Sequence, residues 1–175
     1  GVIRFAALKS LPESYIFPTK YYENNIQSTI NIVNLIKIHN IPYFVFSSSC
    51  LVYGEDNKLP INENTNLKPS NSPYGYTKQI CEKIISDTLN KNTFYVSLRY
   101  FNPIGAHPSG LIGENPFSYP NNLFPIICGV AKGKYKQLSI YGNDWPTEDG
   151  TCIRDYIHVM DLADSHCHAL DYLLN

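Results

Sequence analysis

Neither sign of charge dominates this chain. Its 14 Lys and Arg stand against 15 Asp and Glu, a formal net charge of -1 at pH 7. A broad basic face is therefore absent, and neither nucleic acid nor an anionic membrane surface is an expected partner. No long apolar run and no signal-peptide pattern occurs, so no membrane-spanning segment is expected. The five cysteines (Cys50, Cys81, Cys128, Cys152 and Cys167) are odd in number and scattered, with no CxxC pair and no Asn-x-Ser/Thr sequon nearby. That argues against the disulfide framework of a small secreted domain, and reduced thiols in a cytoplasmic protein are the expectation. Metal-ligand spacing is missing too. His166 and His168 are two apart and do not share a helix face, while His107 and His158 lack ligand partners, so no metal site is expected. Cys50, with no His in its local pattern, reads as a packed thiol and not a nucleophile. No internal repeat or low-complexity segment interrupts the chain.

What is present is an alternation of apolar strands and amphipathic helices. With 175 residues and 43% hydrophobic content, the chain can bury a sizeable core. Val2 to Ala7 predicts a short strand. Ser14 to Asn40 predicts a long helical stretch broken near Pro18, with Ile26, Ile30, Val33 and Ile36 at helical spacing. Tyr43 to Ser48 predicts a buried strand, Glu55 to Ser72 a polar loop, Pro73 to Leu89 a helix and Phe94 to Tyr100 a third strand. Such an order predicts a parallel sheet flanked by helices, with ligands at the carboxyl ends of the strands. The three exits, at residues 6–9, 47–49 and 99–102, should then converge. After Asn102 the composition shifts to dense Gly, Pro and Asn through Asn122. A helix at Leu123 to Lys132, a strand at Gln137 to Tyr141 and a final helix at Asp161 to Leu174 are expected beyond it. The chain opens GVIRFAALK without an initiator Met and closes at Asn175 within helical spacing, which reads as an internal segment of a longer protein.

The most informative residues are Ser49, Tyr74 and Lys78. They sit in SSSCLVYG at 47–54 and PYGYTK at 73–78. Tyr74 and Lys78 are four apart, so a helix projects both from one face. A phenol titrates near pKa ~10 and is a poor base at neutral pH. A nearby ammonium favours the phenolate, and a serine hydroxyl from the preceding strand can relay the proton. Together they suit removal of a proton from a sugar or alcohol hydroxyl. An isolated YxxxK is common on solvated helix faces; the apolar strand and Ser cluster before it make this one specific.

These residues resemble the extended short-chain dehydrogenase/reductase superfamily. Within it they are most similar to the UDP-glucose 4-epimerase (UDP-galactose 4-epimerase) branch. The resemblance covers essentially the whole chain, and its specific part is RYFNPIGAHPSGLIGENP at 99–116, PNNLFP at 120–125 and IYGNDWPTEDGTCIRDYIHVMDLADSH at 140–166. It implies an α/β fold: part of an NAD-binding Rossmann domain, a doubly wound parallel sheet, plus part of a smaller substrate-binding lobe. Implied boundaries are 1–105 for the Rossmann part, 106–155 for the lobe and 156–175 for a helix returning to the first. It implies reversible C4 epimerisation of UDP-glucose and UDP-galactose through a 4-keto sugar, with tightly bound NAD. Tyr74 would be the base, Ser49 its hydroxyl partner, and Lys78 would lower the Tyr74 pKa and bind the nicotinamide ribose. Phe5, Ala6, Ala7, Leu8 and Lys9 match the family's cofactor-contacting strand, Asn24 its NAD-side Asn, and Phe101 the nicotinamide side of the pocket. Asn102, Asn122, Leu123, Ser139, Ile140, Tyr141 and Arg154 would hold the UDP-sugar. Arg154 also suits a diphosphate by the shape of its guanidinium. The family's long helices pair across a dimer interface, which implies a homodimer. On the sequence alone, burial of the stripe Ile26, Ile30 and Val33 inside one subunit fits equally well.

Three departures stand out. Ala7 replaces the family's usual Gly, which crowds a close backbone approach. Cys50 and Leu51 stand where a small residue and Thr are common, and Leu51 is expected to weaken one hydroxyl contact to the sugar. The glycine-rich dinucleotide fingerprint is absent from these 175 residues. That fingerprint seats the NAD pyrophosphate on a helix N-terminus, so this segment by itself is expected to bind NAD poorly and to be inactive. Two alternatives remain open at this point: a related nucleotide-sugar epimerase or dehydratase, and an inactive scaffold. A dehydratase should carry acidic residues beside Ser49, where Cys50 and Leu51 stand instead.

Overall fold

The computed structural model describes residues 1–55, 57–89, 92–116 and 120–175. Position 56 of the expected loop 55–72, and positions 117–119 of the Gly-, Pro- and Asn-rich stretch, lie outside the described residues. The chain divides into two compact units, residues 1–100 with 165–175, and residues 101–164.

The first unit is built on three parallel strands in the order of the chain: β1 (Val2–Arg4), β2 (Tyr43–Ser47) and β3 (Phe94–Leu98). Val2 pairs with Phe44, and Tyr43 to Ser47 pair with Phe94 to Leu98. Parallel neighbours need crossover connections, and helices supply them. Between β1 and β2 run α1 (Leu11–Ile16), α2 (Pro18–Tyr21), a π-helical turn (Tyr22–Ile26) and α3 (Gln27–Ile38). Ser10 caps α1 by accepting from the Glu13 N–H at 3.4 Å. Phe17 leaves the helical region, with φ -127° and ψ 61°, because a residue before proline is pushed out of it. The break expected near Pro18 is thus present, while the helical stretch begins earlier than Ser14. Two residues past α3, Asn40 takes a positive φ of 47° and turns the chain toward Pro42.

Between β2 and β3 lie a short 3-10 turn (Cys50–Tyr53) and α4 (Pro73–Thr88). Ser72 caps α4, its Oγ accepting from the Gly75 N–H at 3.0 Å, and Pro73 occupies the first turn where no donor is missed. One core forms where α3 and α4 lie on the sheet: Val33, Ile36, Phe44, Phe46, Cys81, Ile85 and Leu89 are all buried. Each large member contributes roughly 1.5–3 kcal/mol by leaving water. β1 is shorter than the expected 2–7 and β3 shorter than 94–100. In both, the chain leaves the ladder where its residues turn to other tasks described below.

The second unit holds two short parallel strands, β4 (Asn102–Ile104) and β5 (Tyr156–His158), and the helix α5 (Leu123–Ala131). Asn102 pairs with Tyr156 and Ile104 with His158. Phe124 of α5 meets the Tyr156 ring edge-on at 5.5 Å. The expected strand at 137–141 does not form. Its apolar alternation finds no ladder beside β4 or β5, and Ile140 and Tyr141 stay exposed at 72% and 90%. A strand pattern without a partner edge cannot satisfy its backbone groups as a strand. The last helix, α6 (Val159–Leu174), starts in the second unit and ends in the first. No helix among the described residues is long and apolar enough to cross a membrane.

Candidate active site

Ser49, Tyr74 and Lys78 come together at the carboxyl end of β2. Tyr74 and Lys78 share one face of α4, and Ser49 stands two residues past the end of β2. Ser49 Oγ accepts from the Leu51 N–H at 3.3 Å, which opens the 3-10 turn and holds the hydroxyl at the strand exit. The Ser49 side chain also hydrogen-bonds the Tyr74 phenol. Lys78 is only 3% exposed; its Nζ donates to the Ser47 carbonyl at 2.7 Å. The same Nζ lies 4.9 Å from the centre of the Phe46 ring and 5.9 Å from that of Tyr74.

The electrostatics differ from the simple expectation that Lys78 lowers the Tyr74 pKa. Burial pushes the Tyr74 phenol up to about 12, against a downward pull from the Ser49 hydrogen bond. Burial also brings Lys78 down to about 8, and the Arg4 guanidinium pushes it the same way. Desolvation is the largest influence on both groups, and Lys78 Nζ donates to the Ser47 carbonyl. Near neutral pH the phenol form of Tyr74 is therefore favoured, and a role as base requires a further positive charge or donor at the phenol oxygen.

Several supporting residues escaped the sequence reading. Asn25, in the π-helical turn, is buried, and its side chain grips the Leu8 backbone from both sides. Oδ1 accepts from the Leu8 N–H at 2.9 Å, and Nδ2 donates to the Leu8 carbonyl at 3.0 Å and to Thr77 Oγ1 at 3.1 Å. The Asn25 carbonyl accepts from buried Arg4 at 3.2 Å and from the Thr29 hydroxyl at 2.8 Å. One asparagine thereby ties the stretch Phe5–Lys9 to the helix that carries Tyr74. Its neighbour Asn24, expected on the cofactor side, is exposed. Glu82, one turn beyond Lys78, accepts two bonds from Arg99 Nε (3.0 and 3.2 Å), one from Arg99 Nη2 (2.6 Å) and one from the Ser48 hydroxyl. Those bonds hold the Arg99 guanidinium above its ordinary pKa and pin α4 to the exits of β2 and β3. An arginine inside the apolar strand VIRF, and a Glu four residues past the lysine, were the available signals. The Ser48 N–H donates to Leu98 O at 2.9 Å and the Cys50 N–H to Tyr100 O at 3.1 Å. These bonds carry the sheet past the last ladder pair and draw two exits together.

The residues expected to hold the sugar nucleotide lie in the second unit. Asn102 bonds Asp155 O through both its N–H (3.3 Å) and its Nδ2 (2.8 Å), which sets it beside Arg154. Arg154 is exposed, its Nη1 donating to Ile153 O at 2.9 Å. Asn122 and Leu123 stand at the start of α5, with Asn122 Nδ2 donating to Glu114 at 3.1 Å. Phe101 is 37% exposed. Ser139, Ile140 and Tyr141 are exposed in the irregular stretch, and among the described residues no hydrogen bond joins them to this group. No cluster of metal-ligating side chains occurs among the described residues.

A family model described as "NAD dependent epimerase/dehydratase family" matches residues 1–174. The chain belongs to the NAD dependent epimerase/dehydratase family. The UDP-glucose 4-epimerase uge1 of Schizosaccharomyces pombe is 51% identical over 99% of this chain and 50% of its own length. Among solved structures, a UDP-glucose 4-epimerase of Stenotrophomonas maltophila with bound NAD and formylated UDP-arabinopyranose superposes with a TM-score of 0.93. It is 41% identical, covering 99% of this chain and 52% of that one. That of Bifidobacterium longum, in complex with NAD+ and UDP, gives 0.91 at 46% identity, covering 97% and 51%. The chain spans about half the length of the relatives it matches. Membership in this epimerase/dehydratase family agrees with the doubly wound α/β fold expected from the sequence.

Proposed function

We propose that this chain carries the proton-transfer centre of an enzyme interconverting UDP-glucose and UDP-galactose at C4, with NAD as its cofactor. The observation that supports it most is the meeting of Ser49, Tyr74 and Lys78 at the exits of a parallel sheet, in a member of this family. The residues present suit NAD. Lys78 Nζ donates one of its three N–H groups to Ser47, which leaves donors for ribose hydroxyls at a buried position. Phe5, Ala6, Ala7, Leu8 and Lys9 leave β1 beside that centre, held in place through Leu8, and Phe5 is 60% exposed. NAD, when bound, would accept and return the hydride of the sugar C4.

Tyr74 receives the proton of the 4-hydroxyl, directly or through Ser49, as the C4–H bond breaks. Tyr74 does so as its phenolate, whose charge Lys78 stabilises beforehand, and the transfer leaves Tyr74 a neutral phenol. Turnover of the 4-keto sugar while its nucleotide stays fixed exposes the other face of C4. Tyr74 returns the proton when the C–H bond re-forms, so no net oxidation occurs. Asn102, Asn122, Leu123, Ser139, Ile140, Tyr141 and Arg154 are proposed to hold the UDP-sugar, with Arg154 on the diphosphate; Asn24 and Phe101 are proposed on the cofactor side. Residues 106–155 form part of the substrate lobe in this reading. A homodimer fits exposed Leu35 and Ile38 on α3 and Tyr76 on α4, and a cytoplasmic setting fits five cysteines outside any disulfide.

The test uses the intact protein with UDP-galactose and no external reductant, read by proton NMR. UDP-glucose should appear, approaching the same mixture from either direction. Tyr74→Phe should lower turnover by about 100-fold or more. A Tyr74→Phe variant with near-normal rate would remove Tyr74 as the base.

A further inference from the structure

Four of the five histidines are exposed; His166, on α6, is 3% exposed and has so far been given no role. Its Nε2 shares a hydrogen bond of 3.1 Å with the Ser47 hydroxyl. Its ring lies against Phe5, centroids 4.5 Å apart and tilted by 39°, and meets Tyr100 near edge-on at 6.0 Å. Phe5 immediately follows β1, Ser47 ends β2, and Tyr100 stands two residues past β3. A single side chain therefore touches all three strand exits of the first unit.

Ser47 is the link to the chemistry. Successive side chains of a strand point to opposite faces of the sheet. The Phe46 ring receives Lys78 Nζ, so Phe46 marks the α4 face and Ser47 Oγ lies on the other. Lys78 holds the Ser47 carbonyl while His166 holds the Ser47 hydroxyl. The last residue of β2 is gripped from two sides, one of them by the proposed catalytic lysine. A ring that merely filled space would not require a bond to Ser47.

We propose that His166 is a positioning residue for the proton-transfer centre. It acts through Ser47 on Lys78, and through Phe5 on the chain that leaves β1. The inference rests on the proposed roles of Tyr74 and Lys78. At 3% exposure His166 offers almost no surface to a ligand, so its removal should lower kcat and leave the KM for the nucleotide sugar alone.

The experiment compares His166→Phe, His166→Gln, Ser47→Ala and the double variant His166→Phe/Ser47→Ala in the intact protein, with Tyr74→Phe alongside. His166→Phe keeps an aromatic ring and loses the hydrogen bond. Its kcat should fall about 10-fold with KM for UDP-galactose within about 2-fold, the scale expected from a loosened catalytic group. Ser47→Ala should show the same split. The double variant should be no worse than the worse single, because both remove one interaction. His166→Gln, whose amide can reach Ser47, should recover most of the rate. Wild-type kcat in His166→Phe, fully multiplicative losses in the double variant, or no rescue by Gln would each overturn the proposal. If His166→Phe does not fold, Ser47→Ala decides: an unchanged kcat overturns it. A normal rate in Tyr74→Phe would instead overturn the reading of the centre itself, and this inference with it. An inactive Tyr74→Phe beside a normal His166→Phe would overturn this inference alone.

Discussion

Replacing Lys78 by Met should stabilise the protein while destroying its activity. Lys78 is 3% exposed, and its pKa falls from 10.5 to about 8, chiefly because burial penalises the ammonium. At ~1.4 kcal/mol per pH unit, the folded state carries a cost of roughly 3 kcal/mol for the charge at neutral pH. Removing Nζ also removes its bond to Ser47 O, a loss of about 1 kcal/mol. The unbranched Met side chain refills much the same volume. The net expectation for Lys78→Met at pH 7 is a gain on the order of 1–2 kcal/mol, with turnover reduced by at least ~100-fold. The sign with pH is fixed by linkage. Between pH 8 and 10.5 the unfolded chain keeps the lysine proton that the folded chain has released, so the wild type gains stability as pH rises through that window. The advantage of Lys78→Met should therefore shrink from pH 7 to pH 9.5. Tyr74 and Tyr21, both raised to about 12, act in the opposite direction above pH 10, and pH 9.5 stays below them. Urea unfolding of both proteins at the two pH values reads the difference directly. A Lys78→Met protein less stable than wild type at pH 7, or an advantage that grows with pH, would refute the reasoning.

Other expectations follow from single contacts. Glu82→Ala strands the Arg99 guanidinium and the Ser48 hydroxyl, and should cost roughly 2–3 kcal/mol by denaturant unfolding, since the Glu82 side chain is only 11% exposed. Arg99→Met added to it should restore part of that loss. Asn25→Ala removes three side-chain bonds to Leu8 and Thr77; about 2–3 kcal/mol of stability should go, and hydrogen exchange at the Leu8 amide should quicken. Gly54→Ala places a Cβ 2.6 Å from the Lys68 carbonyl oxygen at a φ of +70°, and should lower stability by at least ~1 kcal/mol while disturbing the turn that Ser49 opens.

The strands at 43–47 and 94–98 and the helix at 73–88 were legible because local patterns decide them. Apolar runs with β-branched and aromatic residues read as strands, and Ser72-Pro73 marks a helix start in any context. Ser49, Tyr74 and Lys78 were legible for the same reason: their spacing of four on a helix and their place after a Ser-rich strand end are properties of the chain. The region at 137–141 misled because alternation states only that a strand would be amphipathic. Whether a ladder stands ready beside it is a matter of other segments.

The linear chain by itself determined the helices and strands of the first unit, the order that makes its sheet parallel, and the spacing at which Ser49, Tyr74 and Lys78 can meet. Tertiary structure alone decided the electrostatics. Tyr74 rises and Lys78 falls because both are withdrawn from water, and no spacing rule reports how deeply a side chain will be buried. It also decided the supports: Asn25 grips Leu8 across 17 residues, Arg99 grips Glu82 across 17, and His166 reaches Ser47 across 119. Contacts of that kind arise only once the chain has closed around its core, because a hydrogen bond is short and directional while the sequence records only order.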